Sequence, residues 1–183
     1  DIADGKFVDN TTLSVQTLMR ARTSSRKEIH LMVQNPLQQF RTCQAIGAQR
    51  VFMHFESYTA LHEIAALFYE VLYANISVGI ALNPDTDIGV LDRWKNILDY
   101  VLLMSVQPGR QGAVFIPETI DRIRELKRLS PYACIGVDGG IKLDNVRDVV
   151  HAGADMVYVG SALFTENNPT QAFDRFVQAI ADL

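Results

Sequence analysis

An α/β fold of alternating strands and helices is what this 183-residue sequence predicts, on three observations. Six short apolar runs recur, at Ile29–Val33, Val51–Phe55, Ile76–Leu82, Tyr100–Val106, Cys134–Val137 and Met156–Val159. They are rich in β-branched residues and apolar on consecutive positions, as strands are when a parallel sheet is covered on both faces. Segments of helical spacing separate them, so the runs repeat at about the length of a βα unit. Finally, residues able to do chemistry sit at the ends of nearly every run. An open doubly wound sheet would gather them at one switch point, whereas a (β/α)8 TIM barrel brings all strand ends to one mouth. The barrel is therefore expected.

The elements follow in order. Asp1-Ile2-Ala3-Asp4-Gly5 reads as the tail of a strand that Asp1 closes. Helices are expected over Pro36–Ile46, Ala60–Tyr73, Pro117–Leu129, Leu143–Ala152 and Pro169–Ala181. Pro36, Pro117 and Pro169 fall where a first helical turn tolerates proline, and Gly47 and Gly153 fall where helices end. An eight-stranded barrel usually needs about 200 to 250 residues. The expectation is thus a single barrel domain over residues 1–183, N-terminally incomplete, lacking strand one and most of strand two.

Composition narrows the function. Apolar residues make up 48% and charged residues 21%, as in an ordinary globular protein. A net charge of −4 gives no basic footprint, which argues against a nucleic-acid partner. Cys43 and Cys134 are the only cysteines and read as reduced core thiols, consistent with a cytoplasmic location. No apolar run approaches the roughly 18 to 20 residues of a membrane span, so no membrane partner is expected.

The chemistry begins at Val137-Asp138-Gly139-Gly140-Ile141, where a buried run ends in a carboxylate and two glycines. Val159-Gly160-Ser161-Ala162 follows one unit later. Together they suggest an acid beside backbone N–H groups that could hold a phosphate. Asp1 and His30 join them at other strand ends, and Ser105-Val106-Gln107-Pro108-Gly109 follows a further strand. Two carboxylates and a histidine suit zinc, iron, manganese or cobalt. Carboxylates on opposite faces of a substrate could remove a proton from one side and return it on the other. A metal would stabilise the enediolate between those steps.

Each residue also has a plainer reading. Asp138 could cap the next helix, His30 could be a satisfied core histidine, and Met32 and Met104 could be core packing. Gly160-Ser161 could be an ordinary turn. His54 reads as structural support, His62 and His151 as surface residues, and the charges of Asp121–Arg128 as a solvated helix face.

Seven blocks, taken together and in order, resemble the ribulose-phosphate 3-epimerases. They are Asp1-x-x-Asp4-Gly5-x-Phe7-Val8-x-Asn10, His30-Leu31-Met32-Val33-x-x-Pro36, His54-x-Glu56, Asn83-Pro84-x-Thr86, Met104-Ser105-Val106-x-Pro108-Gly109, Val137-Asp138-Gly139-Gly140-Ile141 and Gly160-Ser161-Ala162-x-Phe164. The resemblance implies a (β/α)8 barrel that interconverts ribulose 5-phosphate and xylulose 5-phosphate with one divalent metal. It implies Asp1 and Asp138 as the acid/base pair, and Asp1, His30 and Asp138 as metal ligands. Substrate contacts would come from His30, Met32, Met104, the lid residues Gly109, Arg110, Gln111 and Gly112, and the phosphate cradle of Gly139, Gly140, Gly160 and Ser161. The partner is a small phosphorylated ketose, and a homo-oligomer, dimer or hexamer, follows by resemblance.

The departures from the family are specific. The second metal histidine of the family falls two residues ahead of the position matched by Asp1, and its substrate-binding serine falls earlier still. Ala3 stands at a usual methionine and Asp9 at a usual proline. The lid reads Pro108-Gly109-Arg110-Gln111-Gly112-Ala113 in place of Pro-Gly-Phe-Gly-Gly-Gln. Those changes keep two alternatives open, a 3-epimerase for a ketohexose phosphate such as allulose 6-phosphate, and a non-catalytic sugar-phosphate-binding relic. Related barrels with an Asp-x-Lys-x-x-Asp pattern are disfavoured, because Asp1-Ile2-Ala3-Asp4 has no lysine.

Overall fold

A computed structural model gives the structure of the chain and describes residues 1–20, 23–58, 63, 64, 69, 76–109, 112–181 and 183. Two compact units divide it, residues 1–81 and 82–183. Most of the expected helix Ala60–Tyr73, with His62, lies outside the described residues, as do Arg110 and Gln111.

The first unit holds β1 (Ile2–Ala3), β2 (Glu28–Met32), β3 (Arg50–His54) and β4 (Ser77–Leu82), whose last residue begins the second unit. Every pairing is parallel and between neighbours in the chain, with Ile2 opposite Leu31, His30 opposite Phe52 and Phe52 opposite Gly79. Parallel neighbours require a crossover between them, which is the βα alternation expected. All five residues of β3 are buried, as its unbroken apolar run demands. Between β2 and β3 runs α1 (Pro36–Ala45), with proline in its first turn and Phe40 and Cys43 buried. Burial pushes the Cys43 thiol up to about 11, so it packs as a small apolar group. Gly47 ends this helix at φ +70.

The second unit holds β5 (Tyr100–Met104), β6 (Cys134–Asp138) and β7 (Met156–Tyr158), again parallel and in chain order. The crossovers are α2 (Thr119–Leu129) and α3 (Val146–His151), and α4 (Ser161–Phe164) and α5 (Pro169–Ile180) follow β7. Ile123 and Leu126 anchor α2, while Asp121 in its first turn and Lys127 and Arg128 in its last suit the helix dipole.

Three expectations need adjustment. Pro117 precedes α2 instead of lying in its first turn. α3 starts at Val146 because Asn145 organises a turn ahead of it, taking the Lys142 N–H on Oδ1 and donating Nδ2 to the Gly140 carbonyl. β7 is half-buried throughout, not enclosed on both faces. Both cysteines are free thiols. No helix among the described residues is long and apolar enough to cross a membrane.

Candidate active site

β1 is only two residues long, yet its placement is over-determined. Ile2 and Ala3 pair with Leu31 and Met32 on one side. Asp1 therefore stands immediately before β1, level with His30, and opens the strand where the sequence suggests it closes one. On the other side the chain turns back at Gly5 (φ +71), whose N–H donates to the Asn10 carbonyl. The returning segment brings Thr12 alongside. Its backbone N–H donates to the Ala3 carbonyl (3.1 Å), and its hydroxyl accepts from the Ala3 N–H (2.9 Å) and donates to the Asp1 carbonyl (3.0 Å).

Asp4 organises the same turn. Its carboxylate accepts from the N–H groups of Lys6 (2.9 Å), Phe7 (3.0 Å) and Gln34 (2.9 Å). Burial pushes the carboxyl up, but these N–H donors together outweigh it and hold it below the ordinary value. Asp4 is thus a turn-former, despite sharing a motif with Asp1.

The Asp1 carboxylate reaches 3.1 Å from His30 Nδ1. The acid is 60% exposed and the imidazole 6% exposed, so the carboxylate faces solvent above a sheltered ring. Behind it, His30 Nε2 lies 2.8 Å from His54 Nε2, and His54 Nδ1 lies 3.1 Å from Glu56 Oε2. The Phe7 ring packs 4.7 Å from that of His54. Met32 is buried against Ala3 and Val8, with Phe7 beside them. A hard carboxylate oxygen next to a borderline imidazole nitrogen is a donor pair that fits a divalent ion. A histidine and a carboxylate behind the ring are what such a ligand normally has.

In the second unit the register places Met104 opposite Asp138 and Asp138 opposite Tyr158. Asp138 ends β6, and the turn after it is built from backbone. Gly139 and Gly140 have φ of +114 and +62, which residues with a Cβ adopt at a cost. A Cβ on Gly140 would also meet the Phe115 backbone, with its N at 2.6 Å, and one on Gly139 would strike the Val106 side chain. Fully buried Ser105 closes the turn from β5. Its N–H donates to the Asp138 carbonyl (2.8 Å), and its hydroxyl lies 2.6 Å from the Gly139 carbonyl. The Ser105 carbonyl accepts from the Ile116 N–H (2.8 Å). The loop from Val106 to Phe115 thus leaves and returns at one residue. Its glycines Gly109 and Gly112 both have positive φ, +83 and +72.

Gly160 and Ser161 lie at the start of α4, as the strand-to-helix turn expected after β7. An open cleft of about 400 Å3 lies against Ser161, with Lys142, Asp144, Thr165, Glu166 and Arg175 on its walls. Neither Asp138 nor the two glycines after it line this cleft. His151 is exposed, as expected, and Asp9 is exposed too.

Thr12 and Asn145 are the supporting residues the sequence did not single out, and Asp4 stood there only as a member of the Asp1 motif. Thr12 has no local signal, because its contacts depend on the chain returning past Gly5. Glu56 had one, since it is two residues beyond His54 at a strand end.

Comparison with known proteins places this geometry. The Ribulose-phosphate 3 epimerase family model matches residues 1–164. A ribulose-phosphate 3-epimerase from Aquifex aeolicus is 38% identical, over 90% of this chain and 75% of that protein. One from Escherichia coli K12 is 31% identical, over 99% of this chain and 82% of that protein. Among solved structures, orotidine 5'-phosphate decarboxylase from Pyrococcus horikoshii superposes with a TM-score of 0.66 at 17% identity, covering 92% of this chain and 81% of that one. The 3-hexulose-6-phosphate synthase of Salmonella typhimurium gives 0.61 at 17% identity, covering 85% and 87%. At that identity the structural likeness speaks for a TIM-barrel-like α/β fold alone, whereas the sequence matches run through both the Asp1 and the Asp138 segments. The chain belongs to the ribulose-phosphate 3-epimerase family and is an isomerase of the epimerase kind.

Proposed function

We propose that this protein epimerises C3 of a ketopentose phosphate, interconverting D-ribulose 5-phosphate and D-xylulose 5-phosphate. The reading is carried by the Asp1 carboxylate set against the His30 imidazole in a chain that matches the epimerase family from residue 1 onward. Asp1 and Asp138 act as the acid/base pair. One carboxylate takes the C3 proton, and the other delivers a proton to the opposite face, inverting the centre. Asp1, His30 and Asp138 hold one divalent ion, zinc, iron, manganese or cobalt. When bound, that ion supplies positive charge to offset the enediolate.

The remaining residues bind and enclose the substrate. Backbone N–H groups at Gly139, Gly140, Gly160 and Ser161 hold the phosphate. Met32 and Met104 give the reacting carbons an apolar wall, and Gly109, Arg110, Gln111 and Gly112 form the lid. The protein acts in the cytoplasm on a small phosphorylated ketose, as a dimer or hexamer if it follows its family.

The test is the conversion of ribulose 5-phosphate in deuterated water with zinc or manganese supplied. Solvent deuterium at C3 of the product is expected. Its absence overturns the reading, and faster turnover of allulose 6-phosphate would move the substrate to a ketohexose.

A further inference from the structure

Two buried or half-buried groups beside Asp1 take no part in the proton transfer, yet they stand in line with it. His54 ends β3 and is fully buried, and Glu56 lies two residues on, in the 3-10 turn Phe55–Ser57. The contacts run Glu56 Oε2 to His54 Nδ1 (3.1 Å), His54 Nε2 to His30 Nε2 (2.8 Å), and His30 Nδ1 to Asp1 Oδ1 (3.1 Å). The two imidazoles have centroids 5.0 Å apart with 30° between planes. That separation is near the most a 2.8 Å nitrogen–nitrogen contact allows, so the nitrogens lie almost on the line between ring centres. The rings meet head-on through a hydrogen bond, not face to face.

The direction of that bond follows from chemistry. A carboxylate only accepts, and one stands at each end of this series. Glu56, 22% exposed against 60% for Asp1, is less screened by water and holds the stronger bond, so the proton of a neutral His54 sits on Nδ1, facing Glu56. His54 Nε2 then carries a lone pair, and the atom facing it, His30 Nε2, must be the donor. A neutral His30 protonated on Nε2 keeps its own lone pair on Nδ1, the nitrogen turned toward Asp1. Two electron pairs then face each other over 3.1 Å, an arrangement that a cation makes favourable. The Phe7 ring against His54 keeps the relay dry and its bonds strong.

We infer that Glu56 and His54 are positioning residues that fix the tautomer of His30, so that its Nδ1 lone pair is presented beside the Asp1 carboxylate for a divalent cation. The inference rests on the proposed role of His30 as a ligand.

The test uses the intact protein with zinc as the probe. Long-range proton–nitrogen NMR of the metal-free protein reads which His30 nitrogen is protonated, and competition against a chromophoric chelator reads zinc affinity. The wild type is expected to show His30 protonated on Nε2. Glu56→Leu should mix the His30 tautomers and weaken zinc binding about 10- to 100-fold. His54→Phe should do the same, and His54→Gln should restore binding, because its amide oxygen can accept from His30 Nε2–H. Should His54→Phe fail to fold, Glu56→Leu alone decides the matter, since Glu56 is 22% exposed and lies outside the buried core. A wild-type His30 protonated on Nδ1 overturns the relay. So does a Glu56→Leu variant with unchanged tautomer and unchanged zinc affinity. A wild type that shows the Glu56-dependent tautomer but binds no zinc upholds the relay and overturns the ligand role of His30 instead.

Discussion

Asp1 and Asp138 carry the same functional group, and the chain holds them by different kinds of structure. Around Asp1 the support is side chains: the Thr12 hydroxyl on its backbone, and His30, His54 and Glu56 in series behind its carboxylate. Around Asp138 the support is backbone. Two positive-φ glycines follow it, the Phe115 main chain fills the space a Cβ would need, and Ser105 pins the carbonyls. A relay of side chains can be edited one member at a time, changing electronic properties while the fold survives. A turn made of backbone has no such separable parts, so a change there alters stability and geometry together.

Substitutions can sharpen or break this contrast. The largest effect is expected from Asp138→Asn, which keeps the shape of the turn and removes only the acid. Steady-state kinetics should show kcat lower by about 100- to 10,000-fold, with the urea midpoint near that of the wild type. A large loss of stability instead would mean that Asp138 belongs to the architecture.

Next comes a paired comparison of glycines. Gly140 and Gly47 have almost the same backbone, φ +62 and +70, but only Gly140 is crowded, since a Cβ on Gly47 meets nothing within 4 Å. Gly47→Ala should cost about 1–2 kcal/mol in urea unfolding, the left-handed backbone term alone. Gly140→Ala should exceed it by about 1–3 kcal/mol, the penalty of forcing the Phe115 segment away. Equal costs would show that the turn has room to relax and is less rigid than the contrast requires.

Ser105→Ala probes the same turn more gently. Its hydroxyl has one hydrogen, and the 2.6 Å contact to the Gly139 carbonyl takes it in preference to the 3.0 Å approach to Asp138. Its loss should cost about 1–3 kcal/mol, because a sheltered carbonyl is left unsatisfied.

The smallest effect concerns acid. The Asp4 carboxyl titrates lower in the folded chain than in the unfolded one, so its contribution to stability is complete above the unfolded value and fades as pH falls through the folded value. Asp4→Asn should flatten the acid limb of stability below about pH 4, followed by urea midpoints across that range. An unchanged limb would show that the Asp4 carboxyl titrates alike in the folded and unfolded chain.

The elements were legible wherever the signal is local. The apolar runs mark β2 to β6 within a residue or two, because burial on both faces writes itself into consecutive positions. Asp138-Gly139-Gly140 was legible for the same reason, since positive φ is a property of single residues. α3 was misjudged at its start because Asn145 spends its side chain on the turn after Gly140. His54 and Glu56 were seen, but the relay was not, because it depends on the packing of β2 against β3. Thr12 lay furthest from view, being joined to Asp1 only through a chain reversal that no periodicity announces.

The loop that begins and ends at Ser105 bears on how this protein can diverge. Its Val106 end packs over Gly139, its Phe115 end over Gly140, and the Ile116 N–H closes it on the Ser105 carbonyl. Both feet of the loop are therefore anchored on the acid-bearing turn. Such a segment behaves like an interchangeable tool head on a fixed mount. A change of sequence between the two feet leaves the anchors on the Asp138 turn as they are.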